Sequence, residues 1–135
     1  MVLVMLITVI TEATKARSVF EQHANQIDQN LLGSFPSGAC GTASDFLGNW
    51  LTNKGLNGIE YVCGERNNQT HGWLEYNGYI IDITCDQFND FHKPVFVSMD
   101  RTYHDQFTDQ VRNPNNVSDD DIKPLTRFTH LMNRA

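Results

Sequence analysis

A cysteine, a histidine and an aspartate stand where they could supply a nucleophile, a base and a group that orients the base. Cys40 follows a turn that contains Pro36 and Gly38, and it begins a segment with helical periodicity. Unpaired N–H groups and the dipole at a helix N-terminus lower the pKa of a nearby thiol, and the thiolate is the reactive form. The same N–H groups can stabilise an oxyanion. The alternative is a small buried side chain that packs in the core.

The histidine and the aspartate lie on a predicted β-hairpin. Two apolar-rich runs flank Asn77-Gly78, a strong signal for a two-residue hairpin turn. If this turn forms, Tyr76 pairs with Tyr79, and His71 and Asp82 become diagonal neighbours on one face, roughly 7–8 Å apart at the backbone. A carboxylate there can fix one imidazole tautomer and leave the other nitrogen free to act as a base. The sequence therefore predicts a catalytic triad of Cys40, His71 and Asp82.

Other polar and aromatic residues near the hairpin have alternative interpretations. Glu75 shares the His71 face, but it lies nearer the turn, so Asp82 is the preferred partner. Trp73 either lines a cleft beside the catalytic pair or packs on the helix that begins at Cys40. The remaining histidines show no metal-ligand spacing and no phosphate-binding loop is present, so no metal and no cofactor are predicted. These histidines are His23, His92, His104 and His130.

Three short segments resemble the transglutaminase-like branch of the papain-like cysteine enzymes. They are residues 38–44 around Cys40, residues 71–75 with a His-x-Trp pattern, and residues 81–84 with an Asp-x-Thr pattern. Residues 83–88 also resemble a run found in small bacterial proteins of this type. The resemblance covers about residues 34 to 98. The His–Asp and Cys–His intervals are shorter than is usual in the animal-type enzymes.

The resemblance implies a papain-like core in which Cys40 is the nucleophile, His71 the general base and acid, and Asp82 its orienter. It implies a cysteine hydrolase or acyltransferase that acts on an amide bond of a peptide, a protein or a small amide. Peptide hydrolysis, glutamine deamidation and crosslinking remain open as reactions, and the alternative is a non-catalytic peptide- or protein-binding module on the same fold. By analogy with papain-like enzymes, Gln26, Gln29 and Asn30 are candidates for an oxyanion donor, and a solvated helix face is the alternative.

The elements that must position these residues follow from periodicity. Apolar spacings of three and four predict helices over residues 11–32 and 40–55, and a third helix from Ser118 toward Met132. Strands are predicted at residues 59–63, on both sides of the hairpin turn and at 94–98, with loops at 64–69 and 101–116. The order of helices before strands predicts an α+β fold, with N-terminal helices packed on an antiparallel sheet.

Composition limits the class of protein. The chain of 135 residues fits one domain spanning residues 1–135, a transglutaminase-like cysteine hydrolase domain by the resemblance. Ten basic against sixteen acidic residues give a formal net charge of −6, which argues against nucleic acid or an anionic membrane as partner.

Cysteine content and the N-terminal residues bear on the compartment. Cys40, Cys63 and Cys85 form no Cys-x-x-Cys pair, which favours a reducing compartment, and a Cys63–Cys85 bridge is the alternative. We therefore predict a cytoplasmic protein, with a secreted effector as the alternative. Residues 1–10 are apolar but lack a basic region and are too short to span a bilayer. They predict a buried first strand or the start of a core helix, and an unusual targeting segment is the alternative.

Overall fold

A computed structural model describes residues 2–135 as an α+β fold, with three helices packed on a five-stranded antiparallel sheet. The order of elements is α1 (Val2–Leu32), α2 (Cys40–Asn53), β1 (Glu60–Arg66), β2 (Gln69–Tyr76), β3 (Tyr79–Asp82), β4 (Phe96–Ser98), β5 (Thr108–Pro114) and α3 (Ile122–Arg134). Single 3₁₀ turns lie at Cys85–Gln87, His104–Gln106 and Asp119–Asp121. The α+β class and the antiparallel sheet predicted from the sequence are confirmed.

The sheet has the strand order β4-β3-β2-β1-β5. In the hairpin of β2 and β3, Tyr76 pairs with Tyr79, as the sequence predicts. Asn77 and Gly78 both have positive φ values, 49° and 80°, which is the backbone of a type I′ turn. The register that relates His71 to Asp82 is therefore set by local turn chemistry.

Two segments predicted as loops are strands instead. β1 continues to Arg66 and β2 begins at Gln69, because Asn67 and Asn68 adopt positive φ values and form a second two-residue turn. The segment 101–116 contains β5, which pairs with β1. Within β5 the only apolar side chain apart from the terminal proline is Val111, and it is exposed. Backbone pairing rather than burial holds this edge strand, so hydrophobic alternation could not indicate it.

The N-terminal residues are helical but not buried as predicted. Val2, Leu3, Val4 and Ile7 are each more than half exposed, and the buried stripe of α1 begins at Val9. The backbone of α1 leaves the helical region at His23 and again at Asp28. The Asp28 carboxylate accepts hydrogen bonds from the N–H groups of Asn30 and Leu31, so it caps the last turn. In residues 2–135, no helix is both long and apolar enough to cross a bilayer.

The sheet is buried on both faces by two separate cores. Leu74 and Ile81 point toward the helices and pack with the predicted apolar stripe of α2, all of which is buried. The opposite face forms a smaller core around Trp73, covered by aromatic residues of the segment between β3 and β5. The buried members of this second core are Val62, Trp73, Ile80 and Phe107.

Candidate active site

Cys40 is the first residue of α2, and its thiol lies near His71 and Gly72 in the first half of β2. No side chain caps this helix N-terminus, so its first N–H groups face the surroundings of the sulfur. The half-buried thiol lies close enough to the His71 imidazole and to the backbone N–H of Gly72 for both groups to lower its pKa. A side chain at Gly72 would collide with Tyr61, whose hydroxyl lies 1.9 Å from the position that a Cβ would take.

His71 is fully buried and has a different partner for each ring nitrogen. Its Nε2 lies 2.7 Å from Oδ2 of Asp82, and its Nδ1 lies 2.8 Å from Nε2 of Gln87. The carboxylate can only accept, so Nε2 carries a hydrogen and Nδ1 is the nitrogen that remains for Cys40. The three predicted triad residues therefore converge in the order thiol, imidazole, carboxylate.

Asp82 is buried and surrounded by donors. His104 donates from Nε2 to the same oxygen as His71, at 2.8 Å, and the backbone N–H of Thr84 donates to Oδ1 at 3.0 Å. The Sγ of Cys85 lies within 4.8 Å of a carboxylate oxygen of Asp82. Burial would raise the pKa of this carboxyl, but the charge of His71 and the hydrogen bonds of both histidines hold it well below its usual range. Asp82 is therefore ionised at neutral pH.

The thiol and the imidazole stabilise each other's charged forms. Burial opposes ionisation of Cys40, but the hydrogen bond and the charge of His71 outweigh it and lower the pKa of the thiol. Burial also opposes the charge on His71, but Asp82 and Cys40 raise the pKa of the imidazole to about 9. The electrostatics of the site thus favour a thiolate–imidazolium pair.

Glu75 and Trp73 take no direct part in this arrangement. The Glu75 carboxylate accepts hydrogen bonds from Trp73, Arg101 and Arg112, so it does not compete for His71. Trp73 is fully buried in the second core, on the face of the sheet away from α2. Of its two interpretations, packing on the helix of Cys40 is excluded, because alternation along β2 places Trp73 with His71, whose ring centroid lies 5.6 Å away.

Sequence reasoning missed two polar residues that contact the triad, Gln87 and His104. Gln87 lies in the 3₁₀ turn that follows Asp82, five residues further along, so a short return of the chain brings it to His71. His104 belongs to the segment predicted as a loop, where no periodicity marked it. Conversely, the candidate oxyanion donors Gln26, Gln29 and Asn30 are exposed on α1, and no hydrogen bond within residues 2–135 joins them to Cys40 or His71.

A buried arginine anchors the turn that carries Gln87. Arg17 of α1 donates to the backbone oxygen of Ile83 at 2.9 Å and forms a two-pronged ion pair with Asp86, at 2.6 and 2.8 Å. Its guanidinium thereby links α1 to the chain between Asp82 and Gln87. The resemblance to known enzymes gave no indication of this contact.

Four buried groups, two of which belong to the triad, could together hold a metal ion. One ligand atom from each of His71, Asp82, Cys85 and His104 lies within 4.8 Å of the others. Binding would require both Nε2 hydrogens to leave the ring atoms that now donate to Asp82, and the Cys85 thiol to ionise although burial and Asp82 raise its pKa. The prediction that no metal binds stays a prediction. All three cysteines are free thiols, so the alternative Cys63–Cys85 bridge is absent.

Comparisons with known proteins identify no family for this chain. No family model matches the chain, and no curated protein or solved structure matches it significantly. The functional interpretation therefore depends on the contacts described above, and membership of a family remains a proposal.

Proposed function

We propose that this protein is a cysteine-dependent hydrolase or acyltransferase that acts on an amide bond. The observation that carries the proposal is the buried hydrogen bond between His71 and the Asp82 carboxylate, with the Cys40 thiol close enough to the same imidazole to have its pKa lowered by it. Each position suits its chemistry, since a thiolate attacks, an imidazole transfers the proton and a buried carboxylate fixes the tautomer.

The proposed reaction proceeds through a thioester. The Cys40 sulfur forms a bond to the amide carbon while the carbonyl electron pair moves onto oxygen. The tetrahedral intermediate collapses when His71 protonates the leaving amine. Water or a second amine, activated by His71, then resolves the thioester. A peptide, a protein or a small amide is the proposed substrate class, because the reacting groups recognise only the amide itself.

A transglutaminase-like, papain-like core is part of the same proposal. It is supported by the order of the elements, with the cysteine at a helix N-terminus and then the histidine and the acid on adjacent antiparallel strands. Three free thiols support a reducing compartment such as the cytoplasm. A glutamine-containing peptide would separate the reactions, since deamidation releases ammonia alone and crosslinking also consumes an added amine.

The proposal is tested by the reactivity of Cys40 toward iodoacetamide as a function of pH. We expect Cys40 to be alkylated near neutral pH at least tenfold faster than Cys63, whose pKa is raised by burial and by Cys40. His71→Ala should abolish this advantage because the thiolate loses its counter-ion. Mass spectrometry of peptides assigns each rate to its thiol, and exposed His92→Ala is the matched control.

Equal, slow alkylation of Cys40 and Cys63 in the wild-type protein would contradict the proposal. That result would favour the non-catalytic binding module, in which the cleft holds a peptide without attacking it. A fast Cys40 that is unaffected by His71→Ala would also contradict it, because the imidazole would then have no part in activating the sulfur.

A further inference from the structure

Gln87 contacts the nitrogen of His71 that must receive the proton of Cys40. Its Nε2 lies 2.8 Å from Nδ1, while Nε2 of the imidazole is occupied by Asp82. An amide nitrogen can only donate, so this contact is a hydrogen bond when Nδ1 is unprotonated. Gln87 and Cys40 therefore compete for one ring nitrogen, and the state of the proton decides which of them it bonds.

In the thiolate–imidazolium pair that the site favours, the proton on Nδ1 of His71 removes the acceptor of Gln87. The protonated Nδ1 becomes a donor, and two donors facing each other at hydrogen-bond distance repel. The Gln87 amide then needs another acceptor, and it contacts the same imidazole that influences the Cys40 sulfur. A carbonyl oxygen attacked by this sulfur acquires negative charge close to that imidazole.

The position of Gln87 is held independently of this contact. Gln87 ends the 3₁₀ turn Cys85–Gln87, and its backbone N–H donates to the oxygen of Thr84 at 3.1 Å. The Arg17 guanidinium donates to both carboxylate oxygens of the neighbouring Asp86. The side chain is half-buried, so it is reachable by a bound substrate. A donor that is fixed before the reaction stabilises developing charge without a cost of reorganisation.

We propose that Gln87 is a catalytic residue that donates a hydrogen bond from Nε2 to the oxyanion of the tetrahedral intermediate, together with the first N–H groups of α2. The inference rests on the proposed function, because it assumes that Cys40 attacks a carbonyl carbon. It assigns the second oxyanion donor to a residue after the acid of the triad rather than to one before the nucleophile.

Two reagents separate this role from activation of the thiol. Iodoacetamide forms a bond from sulfur to carbon with loss of iodide, and no oxyanion arises. p-Nitrophenyl acetate is attacked at its carbonyl carbon, the electron pair moves onto oxygen, and collapse expels p-nitrophenolate and leaves acetyl-Cys40. We compare both rates at the pH plateau of Cys40 ionisation for the wild type, Gln87→Leu and Gln87→Glu.

We expect both Gln87 variants to lose about 10²-fold in acetylation rate, as removal of one oxyanion donor does, and to keep the alkylation rate within about threefold. The exposed Gln22→Leu should change neither rate. Gln87→Glu preserves the shape of the side chain, so the test survives if the leucine variant does not fold.

An equal loss of both rates would overturn the assignment, because Gln87 would then act only by positioning His71. Unchanged acetylation in both variants would overturn it as well. A wild-type Cys40 that is inert toward both reagents would instead overturn the proposed function, and these outcomes are distinguishable in one set of measurements.

Discussion

Asp82 uses its two carboxylate oxygens for two different tasks. Oδ2 accepts hydrogen bonds from His71 and His104, and Oδ1 accepts the backbone N–H of Thr84 two residues later. Oδ2 orients the His71 imidazole, while Oδ1 stabilises the turn that follows β3. In an asparagine the amide nitrogen would replace one of these oxygens and would set its own donors against either both imidazole N–H groups or the Thr84 N–H.

His104 is expected to act through Asp82 as a positioning residue. Replacing it with leucine removes one hydrogen bond to a buried charge, which is worth about 1.5–3 kcal/mol, so we expect alkylation of Cys40 at neutral pH to slow by about tenfold or more. Glutamine can return an N–H donor to the carboxylate and should restore most of the rate. Iodoacetamide kinetics at matched folded fraction provide the measurement.

A wild-type rate in His104→Leu would mean that the other donors hold Asp82 unaided. Loss of rate in both variants with a lowered melting temperature would indicate a packing role alone, since the ring stacks against Phe96 with centroids 5.2 Å apart. No group within residues 2–135 hydrogen bonds to the buried Nδ1 of His104.

At the residue scale, the sequence predicted the contact between His71 and Asp82 better than it predicted the residues around them. His71 and Asp82 were found because a two-residue turn fixes the register between them, and Cys40 because helix start and residue type coincide. Gln87 and His104 reach the site through turns whose direction is set by tertiary contacts. A single sequence carries no periodic signal for such contacts.

At the scale of elements, α1 is tied to the chain after β3 by one buried side chain. Replacing Arg17 with methionine leaves the partly buried Asp86 carboxylate without its partner and the Ile83 oxygen without a donor. We expect a loss of about 2–3 kcal/mol in the free energy of unfolding, measured by urea denaturation. Lys15→Met, which removes a pairing with Glu12 within α1, should cost less than about 1 kcal/mol.

An Arg17→Met loss no larger than that of Lys15→Met would show that the ion pair is offset by its own desolvation. Adding Asp86→Asn to Arg17→Met should recover part of the loss, because the uncompensated charge is then gone. The same ion pair helps to hold Gln87 in place, because Gln87 follows Asp86 directly in the sequence.

Elements were predicted well where local rules govern them and poorly where they do not. The hairpin of β2 and β3 follows from Asn77-Gly78, and the buried stripe of α2 from its helical spacing. β5 is almost entirely exposed, so only its backbone pairing with β1 defines it as a strand. The turn at Asn67-Asn68 joins two strands through a residue pair with a weaker preference for positive φ than one containing glycine.

At the scale of the whole molecule, the sheet separates the base from the helix that carries the nucleophile. His71 lies among the rings of Trp73, Phe88 and Phe107 in the second core, with centroid distances between 5.1 and 5.6 Å. Cys40 begins a helix that packs on the opposite core. The sequence predicted one apolar face of the hairpin, and the second core was missed because polar residues alternate along that face.

Global stability should depend on pH through Asp45, a half-buried residue in the N-terminal half of α2. Burial and the charge of Asp121 raise its pKa to about 6. A raised carboxyl pKa contributes stability below about pH 4, and this contribution is lost as pH rises through 6. Asp45→Asn should therefore raise the melting temperature at pH 8 relative to the wild type and give no such gain at pH 4.

Calorimetry at both pH values measures this difference. The exposed Glu65→Gln is the control, and its effect on the melting temperature should be the same at pH 4 and pH 8. A gain of equal size at pH 4 and pH 8 would contradict the prediction, because the effect would then not depend on ionisation of Asp45.

The hydrogen bonds between β2 and β3 end early, and the candidate site depends on this short pairing. Pairing of β2 with β3 ends at Leu74 and Ile81, so Gly72 has no partner in β3, and its N–H lies close enough to Cys40 to lower the pKa of the thiol. If the two strands continued to pair, the Gly72 N–H would donate a hydrogen bond to β3 and the gap between the strands would close. The candidate active site thus lies where the two strands stop pairing. A sequence that favoured a longer regular hairpin would close the opening beside the sulfur.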